Sequence, residues 1–525
     1  MLALKSCCLV AFLISRVLAS DNILTLPAIS PVPSNASELL DRWLASFSFE
    51  LAYLPYFTGN RSNPNVLTQE LMQRLVERTG VGPDIRPGGI TVQEEYTGQL
   101  STLSTFPMTI HRSIHTCFSG PGFFNLLKMF PDSSRFIVDT NLGNNSVDIA
   151  QHQVEAAVKY LGWDRIYTIQ LGNEPDHYAG GSRPSNWSSA AYTAQFLNWT
   201  TTLTERLSLP PRIFQAPAVA DDPTPSALIT TISTVDEGID STGVLKLFDQ
   251  HTYQYSTCDP ERNAIATLPN LINHRNITAY LDLWKPQISA ARARGKEFVV
   301  GEYSSVSCSG KQNVTDTFGQ ALWIADTVLY GAFLNISRMY LHQGATLVFQ
   351  SSQQANEPGF SWYDLWYPVE TERYGPARAS PSFVAYLLIN EVVGSSQQSR
   401  LSLIDVPSHP QLAAYAIWDP SARKDNIARF VLLNLSVRNE STSAADAALD
   451  EVVVDLSSYV RGGKGKSGAK VKRMTSPGLD SKDVSRVLWA GQSYENGTAS
   501  GEEVIENLED GKVTVQGSEG VLVFF

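Results

Sequence analysis

Two glutamates lie where they could carry out acid–base and nucleophilic chemistry. Glu174 belongs to the run Gln-Leu-Gly-Asn-Glu-Pro-Asp at 170–176, directly after a β-rich run, and Glu302 ends a second β-rich run that begins at Phe298. Hydrolysis of a glycosidic bond needs one protonated carboxyl group to assist the leaving group and one ionised carboxylate near the anomeric carbon. The pair therefore favours a glycosidase, although Pro175 could instead simply start a helix with Glu174 near its positive end.

The elements that must position these glutamates repeat along residues 46–394. β-rich runs alternate there with amphipathic helical patterns, which predicts an α/β domain of parallel strands with helical crossovers. The candidate strands are Phe47–Tyr53, Ile85–Thr91, Arg135–Asp139, Ile166–Leu171, Ile213–Ala218, Leu245–His251, Glu297–Glu302 and Arg338–His342. The helical patterns are Thr68–Thr79, Val147–Leu161, Ser189–Leu207, Ile277–Ala293 and Asp316–Phe333. Eight such units predict a (β/α)8 TIM barrel, with Glu174 ending the fourth strand and Glu302 the seventh, where such barrels place catalytic groups.

The pattern changes after Gly394. From 395 to 525, short β-rich runs are joined by turns rich in Ser, Gly and Asp, and no helical pattern interrupts them. This predicts a C-terminal all-β sandwich domain. The N-terminal segment 20–45 could add a strand to that domain, from the stretch 28–33.

Several polar and aromatic side chains accompany the predicted catalytic pair. Asn173 could donate a hydrogen bond to the sugar hydroxyl next to the reacting carbon. Tyr253, at the end of the sixth strand, could hold the neighbouring carboxylate ionised, or could be a core aromatic residue. Glu50 lies in an apolar strand and must be paired or face a pocket. Three aromatic residues after the eighth strand could form a sugar platform or simply pack: Trp362, Tyr363 and Trp366.

Residues 1–19 have the pattern of a secretory signal peptide. Lys5 precedes the apolar run Cys7–Ile14, and Val17-Leu18-Ala19 is a small-residue cleavage pattern. Glycosylation acceptor tripeptides occur at Asn35, Asn60, Asn144, Asn186, Asn198, Asn276, Asn313, Asn335, Asn434, Asn439 and Asn496. We therefore expect a secreted, extracellular glycoprotein.

The charge of the chain argues against anionic partners. The formal net charge is −12 and the isoelectric point about 5.2. A protein that binds nucleic acids or anionic membranes needs a concentrated basic face, so we expect neither as a partner. The one basic run, Arg461–Arg473, is read as a solvated loop, with a heparin site as the alternative.

The cysteines do not form a metal-ligand pattern. Removal of the signal peptide leaves Cys117, Cys258 and Cys308, too few for a disulfide scaffold and without the spacing of a metal site. In an oxidising compartment we expect Cys258 and Cys308 to pair, because they follow the neighbouring sixth and seventh strands. Cys117 would then remain free.

The motifs resemble those of the secreted glucuronidases of glycoside hydrolase family 79, which includes heparanase. The most specific elements are Leu-Gly-Asn-Glu-Pro at 171–175 and Gly-Glu-Tyr-Ser-Ser at 301–305. Asp-Thr-Phe follows at 316–318 and His-Gln-Gly at 342–344. The resemblance spreads over the barrel and into the β-domain.

The resemblance implies a retaining β-glycosidase with Glu174 as acid/base and Glu302 as nucleophile, and with no metal or cofactor. Asn173, Tyr253 and Glu50 fall where the family has supporting and sugar-binding residues. The sequence departs from the family at Ser-Cys-Ser-Gly, 307–310, where a tyrosine and glycines commonly hold the glucuronate carboxylate. Backbone amides around Cys308 and Ser309, with Tyr363, are our candidate donors instead.

The leading interpretation is an exo-acting β-glucuronidase or 4-O-methyl-glucuronidase that cleaves glucuronic-acid-containing glycans. A β-xylosidase or an endo-xylanase is the enzyme alternative, and a catalytically inactive glycan-binding barrel is the alternative of another class. We expect activity to be best at mildly acidic pH, with Glu174 protonated and Glu302 ionised.

Overall fold

Eight parallel strands close a barrel at the centre of the chain. The structure is a computed structural model and describes residues 23–27, 31–93, 121–344, 360–423, 427–460 and 468–525. In chain order the barrel strands are Ala45–Glu50, Ile85–Gly88, Phe136–Thr140, Ile166–Leu171, Phe214–Val219, Leu245–Ser256, Glu297–Ser307 and Met339–Gln343. Each strand pairs with the next, and the eighth pairs with the first. The predicted TIM barrel is thereby confirmed.

Burial on both faces explains why these strands read as apolar runs. Inside the barrel, Ile137, Leu247, Val299 and Tyr340 form a separate cluster at 0 % exposure. On the outside, aromatic side chains such as Phe47 and Phe49 pack against the surrounding helices. A parallel sheet covered in this way is shielded from solvent on both faces.

Helices surround the barrel, and four of the five predicted helical patterns agree with the observed bounds to within two residues. They are Leu54–Thr58, Val66–Thr79, Val147–Leu161, Ser189–Leu207, Thr231–Asp236, Pro260–Ile265, Leu268–Leu271, His274–Leu281, Lys285–Ala293, Phe318–Phe333 and Val384–Val393. The predicted helix 277–293 is wrong as a single element. It divides at Asp282–Trp284, because Pro286 lacks the amide that a continuous helix needs and is tolerated only in a new first turn.

The strand ends differ from the prediction on two sides of the barrel. The first and second strands stop at Glu50 and Gly88, short of the predicted ends. The sixth and seventh run further and stay paired as far as Ser256 and Ser307. This extension carries Tyr253 and the segment after Glu302 above the rest of the barrel rim.

The C-terminal domain is a two-layer β-structure. The larger sheet contains, in spatial order, Arg400–Ile404, Leu412–Trp418, Ile427–Asn434, Glu519–Phe524, Lys470–Thr475 and Leu488–Trp489, and Glu506–Asn507 also pairs with Lys470–Thr475. The smaller sheet contains Ile23–Thr25, Val452–Asp455 and Lys512–Val515. Side chains from both sheets form one apolar cluster, which makes the domain a sandwich. A short helix, Ala444–Ala447, lies between two of its strands.

The N-terminal strand of the sandwich is Ile23–Thr25, which pairs in parallel with Val452–Asp455. It lies earlier than the predicted stretch 28–33, of which 28–30 are outside the described residues. The predicted signal peptide 1–19 and Cys117 are also outside them. Among the described residues, no helix is both long and apolar enough to span a bilayer.

A disulfide joins Cys258 and Cys308, with their Cα atoms 5.9 Å apart. It connects the segments that follow the extended sixth and seventh strands. One predicted glycosylation acceptor, Asn434, is buried, and its amide nitrogen donates to the carbonyls of Asp450 and Val515. A glycan on Asn434 would break both bonds, so that tripeptide is not an accessible acceptor in the folded domain.

Candidate active site

Glu174 and Glu302 meet at the C-terminal end of the barrel. A carboxylate oxygen of Glu174, one of Glu302 and a ring nitrogen of His251 all lie within 4.8 Å of one another. Both glutamates are largely buried, with 15 % and 8 % of their side chains exposed. The barrel thus brings together the two carboxylates that lie 128 residues apart in the sequence.

Tight backbone turns fix the position of each glutamate. Gly172 has φ +83°, and a Cβ there would lie 2.5 Å from the Cβ of Leu142. Glu174 itself is left-handed at φ 50°, and its amide donates to the carbonyl of Ala218 at the end of the fifth strand. A left-handed non-glycine residue is uncommon and marks a position that the surrounding structure holds in place.

The nucleophile candidate follows a bulge in the seventh strand. Its pairing with the sixth strand shifts register between Val300 and Glu302. The Gly301 amide donates to Asp249 Oδ1 at 2.7 Å, and a Cβ at Gly301 would lie 2.4 Å from that oxygen. Bulges redirect side chains at barrel rims. Only glycine fits here without displacing Asp249. The bulge directs the Glu302 side chain into the cavity.

Arg86 is the cation that holds the buried carboxylates together. It is fully buried and donates to Glu302 Oε2 at 2.5 Å, to Asp139 Oδ2 at 2.9 Å and to Asn173 Oδ1 at 2.6 Å. It also donates to Ser48 and Gln170. Burial raises the pKa of Asp139 to about 7, and Arg86 opposes this rise. The guanidinium group thus orients both Glu302 and the Asn173 amide.

Tyr253 and His342 complete the surroundings of Glu302. The Tyr253 hydroxyl donates to Glu302 Oε1 at 2.7 Å, which is the role that the sequence suggested for it. His342 Nδ1 lies 3.6 Å from Glu302 Oε2, and its Nε2 lies 3.7 Å from Glu50 Oε2. Burial raises the pKa of Glu302, but the charges of His342, His251 and Arg86 outweigh burial. The net effect lowers the pKa of Glu302 below its usual range. Glu302 is therefore an ionised carboxylate.

Two imidazoles contact Glu174. His251 Nδ1 lies 3.1 Å from Glu174 Oε1, and His177 Nδ1 lies 3.6 Å from Oε2. Burial raises the pKa of Glu174, but the contacts with His177 and His251 outweigh it and lower that pKa below its usual range. The hydrogen bond to Asp221 and the contact with Glu174 raise the pKa of His177 to about 11. These contacts favour an ionised Glu174 with protonated imidazoles beside it, whereas the sequence led us to expect a protonated Glu174.

Glu50 lies at the other end of the site, where its carboxylate accepts hydrogen bonds from the Thr91 amide and hydroxyl. It lines the same cavity as Glu174 and Glu302, as do Asn173, Tyr253, Cys308 and Tyr363. This cavity has a volume of about 710 Å³.

Three of the other candidate binding residues are not among the described residues that line the cavity: Ser309, Trp362 and Trp366. Ser309 is buried and is not among the described residues that line the cavity; its carbonyl accepts from the Trp362 amide. Trp366 is a core residue at 0 % exposure, with its indole nitrogen donating to Thr68. Trp362 packs its ring against Tyr374. Of the three aromatic residues after the eighth strand, Tyr363 is therefore the one that reaches the cavity.

Sequence reasoning missed the roles of Arg86, His177, His251 and His342. Arg86 had a visible signal, because a charged residue within the buried run Ile85–Gly88 must have partners. His251 and His342 are the last residues of the sixth and eighth predicted strands. Glu174 and Glu302 were identified because they lie at strand ends, and the same signal applied to these two histidines. His177 lies just after the catalytic motif, but the local sequence does not show that it reaches Asp221.

In the part of the chain that the structure describes, two groups of side chains have ligand atoms close enough together to hold a metal ion. They are Glu174 with His251 and Glu302, and Asp176 with His177 and Asp221. In the first group Arg86 already supplies the cation that neutralises Glu302. In the second, Asp176 accepts from the Ala220 and Asp221 amides, which occupies its oxygens.

Replacement of Arg86 by methionine will destabilise the protein strongly. The change removes the cation but leaves Asp139 and Glu302 buried, and breaking a buried pair in this way costs about 3–5 kcal/mol. Urea unfolding of Arg86→Met measures the loss. The matched control is Arg206→Met, because Arg206 pairs with Asp148 on the surface and such pairs contribute about 0–1 kcal/mol. Equal unfolding midpoints for the two variants would contradict this account of Arg86.

The sequence and fold are similar to those of known glycosidases. The family model described as the glycosyl hydrolase family 79 C-terminal beta domain matches residues 414–522. A β-glucuronidase of Aspergillus niger is 27 % identical over 523 residues, covering 94 % of this chain and 90 % of that protein. A β-glucuronidase of Neurospora crassa is also 27 % identical, covering 86 % of this chain and 84 % of that protein.

Among solved structures, a 4-O-α-L-rhamnosyl-β-D-glucuronidase from Fusarium oxysporum, in complex with Rha-GlcA, matches with a TM-score of 0.77 and 22 % identity. The match covers 96 % of this chain and all of that one. It therefore extends over both the barrel and the sandwich.

Proposed function

This chain belongs to glycoside hydrolase family 79, and we propose that it is a secreted, retaining, exo-acting β-glucuronidase. Glu302 is the nucleophile and Glu174 the acid/base in this proposal. The relatives named β-glucuronidase support the substrate class, and the geometry of the carboxylates supports the mechanism.

The observation that carries the mechanism is the closeness of the two glutamates. Retaining enzymes hold their carboxyl groups about 5–5.5 Å apart, whereas inverting enzymes separate them by about 6.5–9.5 Å to admit a water molecule. An oxygen of Glu174 lies within 4.8 Å of one of Glu302. That distance favours direct attack by Glu302 over attack by an intervening water.

The reaction then proceeds in two displacements. The ionised Glu302 attacks the anomeric carbon while Glu174 gives a proton to the departing glycosidic oxygen, which forms a glycosyl ester and releases the aglycone. Glu174, now a carboxylate, takes a proton from water as the water attacks the ester, which frees Glu302 and a sugar of unchanged configuration. Asn173, whose Oδ1 is held by Arg86, donates to the sugar hydroxyl beside the reacting carbon.

The proton for the first step comes from His251, the buried imidazole beside Glu174. His251 is fully buried and has Nδ1 3.1 Å from Glu174 Oε1. Burial and Arg86 lower the pKa of His251, but the hydrogen bond to Glu174 and the charge of Glu302 raise it above 6.5. A proton shared over 3.1 Å can move onto Glu174 as negative charge develops on the leaving oxygen.

The glycone end of the cavity suits one anionic sugar. Glu50, His342 and Tyr363 form its wall and are only 3–4 % exposed, which supports exo action on a terminal residue. Burial lowers the pKa of His342, but Glu302 and Glu50 raise it above 6.5. The His342 imidazolium, the Tyr363 hydroxyl and the backbone around Cys308 are the donors that we assign to the glucuronate carboxylate.

Activity will have a plateau at mildly acidic pH. As pH rises above 6.5, His251 loses the proton that Glu174 needs, so kcat falls on the alkaline side. Because the pKa of Glu302 is lowered, this residue stays ionised as pH falls to 4.5, and the acidic limb lies below that value. A pH profile of kcat measures both limbs. An alkaline limb that began well below pH 6.5 would contradict the raised pKa of His251.

A panel of nitrophenyl glycosides tests the substrate class. We expect the β-glucuronide to be cleaved with a higher kcat/KM than the matched β-glucoside and β-xyloside, since only the glucuronide engages the carboxylate donors. The 4-O-methyl-glucuronide belongs in the same panel. Faster cleavage of the xyloside would indicate a β-xylosidase, and no cleavage of any substrate would indicate a glycan-binding barrel.

Secretion is supported by the N-terminal signal pattern, the acceptor tripeptides and the disulfide between Cys258 and Cys308. Expression of the full chain in a eukaryotic host tests it. We expect the protein in the medium, with a mature N-terminus close to residue 20 and a mass that falls on treatment with a glycosidase specific for asparagine-linked glycans. Retention of an uncleaved chain inside the cell would contradict secretion.

A further inference from the structure

A layer of polar side chains lies inside the barrel, between its apolar cluster and the catalytic glutamates. Leu247 and Val299 belong to that cluster, and Asp249 and Gly301 lie two positions further along the same two strands. Residues two apart on a strand face the same side, and barrel interiors are filled in successive layers. The polar layer is therefore the floor beneath the catalytic site. Its fully buried side chains include Arg86, Gln170, Gln215 and Asp249.

One end of this layer holds the bulge that precedes Glu302. The Asp249 carboxylate accepts from the Gly301 amide through Oδ1 at 2.7 Å. Through Oδ2 it accepts from the side-chain amide of Gln215 at 2.6 Å. Both carboxylate oxygens face donors, so Asp249 acts here only as an acceptor.

The other end of the layer holds the turn that carries the acid/base residue. Gln170 Oε1 accepts from Arg86 Nε at 3.3 Å and from Gln215 Nε2 at 3.0 Å. The Nε2 of Gln170 donates to the carbonyl of Gly172 at 2.9 Å, within that turn. The layer thus holds backbone groups on both sides of the catalytic pair.

Gln215 joins the two ends of the layer. Its Nε2 donates to Asp249 and to Gln170, and its Oε1 accepts from the Thr168 hydroxyl. A guanidinium group only donates and a carboxylate only accepts, so Arg86 and Asp249 fix the orientation of both glutamine amides. Each amide has partners at its oxygen and at its nitrogen, and buried networks of this kind rigidify the groups that they join.

We propose that Gln215 is a positioning residue that holds Glu302 and Glu174 at the spacing needed for direct attack. It does so by linking the acceptor of the Gly301 amide to the turn at Gly172. Gln215 is not among the described residues that line the cavity, so it acts through other residues rather than on the sugar. The inference rests on the proposed β-glucuronidase activity, because both glutamates act in that reaction.

Replacement of Gln215 by methionine tests the assignment. Methionine has a similar shape but no amide, so the links to Asp249 and Gln170 are lost. With a nitrophenyl β-glucuronide we expect kcat to fall about tenfold to a hundredfold, because a displacement of about 1 Å costs that much, while KM changes less than about threefold. An unchanged kcat, or a loss confined to KM, would overturn the assignment. Failure of the unmodified protein to cleave the glucuronide would overturn the glucuronidase proposal, and this assignment with it.

The matched control removes a buried glutamine outside the barrel. Gln287 is 5 % exposed and accepts from the Ile232 amide, which joins two of the surrounding helices. Gln287→Met should lower the urea midpoint of unfolding but leave kcat unchanged. An equal fall of kcat in Gln287→Met and Gln215→Met would show that lost stability lowers the activity, and would overturn the assignment.

Asp249→Asn tests the same link from its other side, and also serves if Gln215→Met does not fold. Asparagine keeps an acceptor for the Gly301 amide, but its new NH2 group faces that of Gln215, so a hydrogen bond of the layer must break. We expect kcat to fall, and the double variant to be no worse than the more impaired single variant, because both changes break one link. An unimpaired Asp249→Asn, or losses that multiply in the double variant, would overturn the shared network.

Discussion

Replacement of Glu302 by glutamine will lower kcat on every glucuronide by at least about ten-thousand-fold, as loss of a catalytic nucleophile does in other enzymes that form covalent intermediates. Glutamine has nearly the same shape but no charge, so it can neither attack the anomeric carbon nor leave as a carboxylate. The donors that now converge on Glu302, Arg86 and Tyr253, would remain in place. The loss should therefore appear in kcat and be independent of the leaving group.

The same strand supplies a matched control. Glu297 begins the seventh barrel strand at the opposite end of the barrel, where it pairs with Arg338 and accepts from the Tyr167 hydroxyl. Glu297→Gln changes the same charge on the same strand but touches no residue of the cavity, so we expect kcat within a few-fold of the unmodified enzyme. A similar loss in both variants would mean that the effect of Glu302→Gln arises from the strand rather than from the chemistry.

Replacement of Glu174 by glutamine will have an effect that depends on the leaving group. Loss of a general acid costs about 10²–10⁴-fold when the leaving group needs a proton. A dinitrophenolate leaves without one, so the first step should be nearly unaffected with that substrate. We expect kcat/KM to fall steeply for a sugar aglycone and only slightly for the dinitrophenyl glucuronide.

The comparison of the two substrates is its own control, because the variant protein is the same in both assays. Equal losses on the sugar and dinitrophenyl glucuronides would show that Glu174 does not protonate the leaving group. His251, 3.1 Å away, would then be the next candidate for the acid.

The barrel and the meeting of Glu174 and Glu302 in one site could be predicted because their signals are local. Each strand reads as a short apolar run, and Glu174 and Glu302 lie at the ends of two such runs. Because the C-terminal ends of all eight strands meet at one face of the barrel, this was enough to predict that the two glutamates lie close together. Tyr253 and Glu50 were also identifiable, since a polar group in an apolar strand needs a partner.

The partners of these residues could not be predicted, because they depend on contacts across the barrel. Arg86 bonds to residues of the first, third, fourth and seventh strand regions at once, and no spacing in the sequence specifies that set. The lowered pKa of Glu174 could not be predicted for the same reason: it depends on His177 and on His251, which arrives from the sixth strand. The position of Tyr363 in the cavity wall and of Trp366 in the core likewise follows from packing rather than from their order in the chain.

Covalent trapping tests the central claim most directly. Incubation with a 2-deoxy-2-fluoro-β-glucuronyl fluoride should load the nucleophile faster than water can release it, because the leaving group is good and the 2-fluorine slows hydrolysis. Mass spectrometry of the peptides should then show one fluoroglucuronosyl group per chain, carried by Glu302. A label on another residue, or steady release of product of inverted configuration from unlabelled protein, would contradict the retaining mechanism proposed for this site.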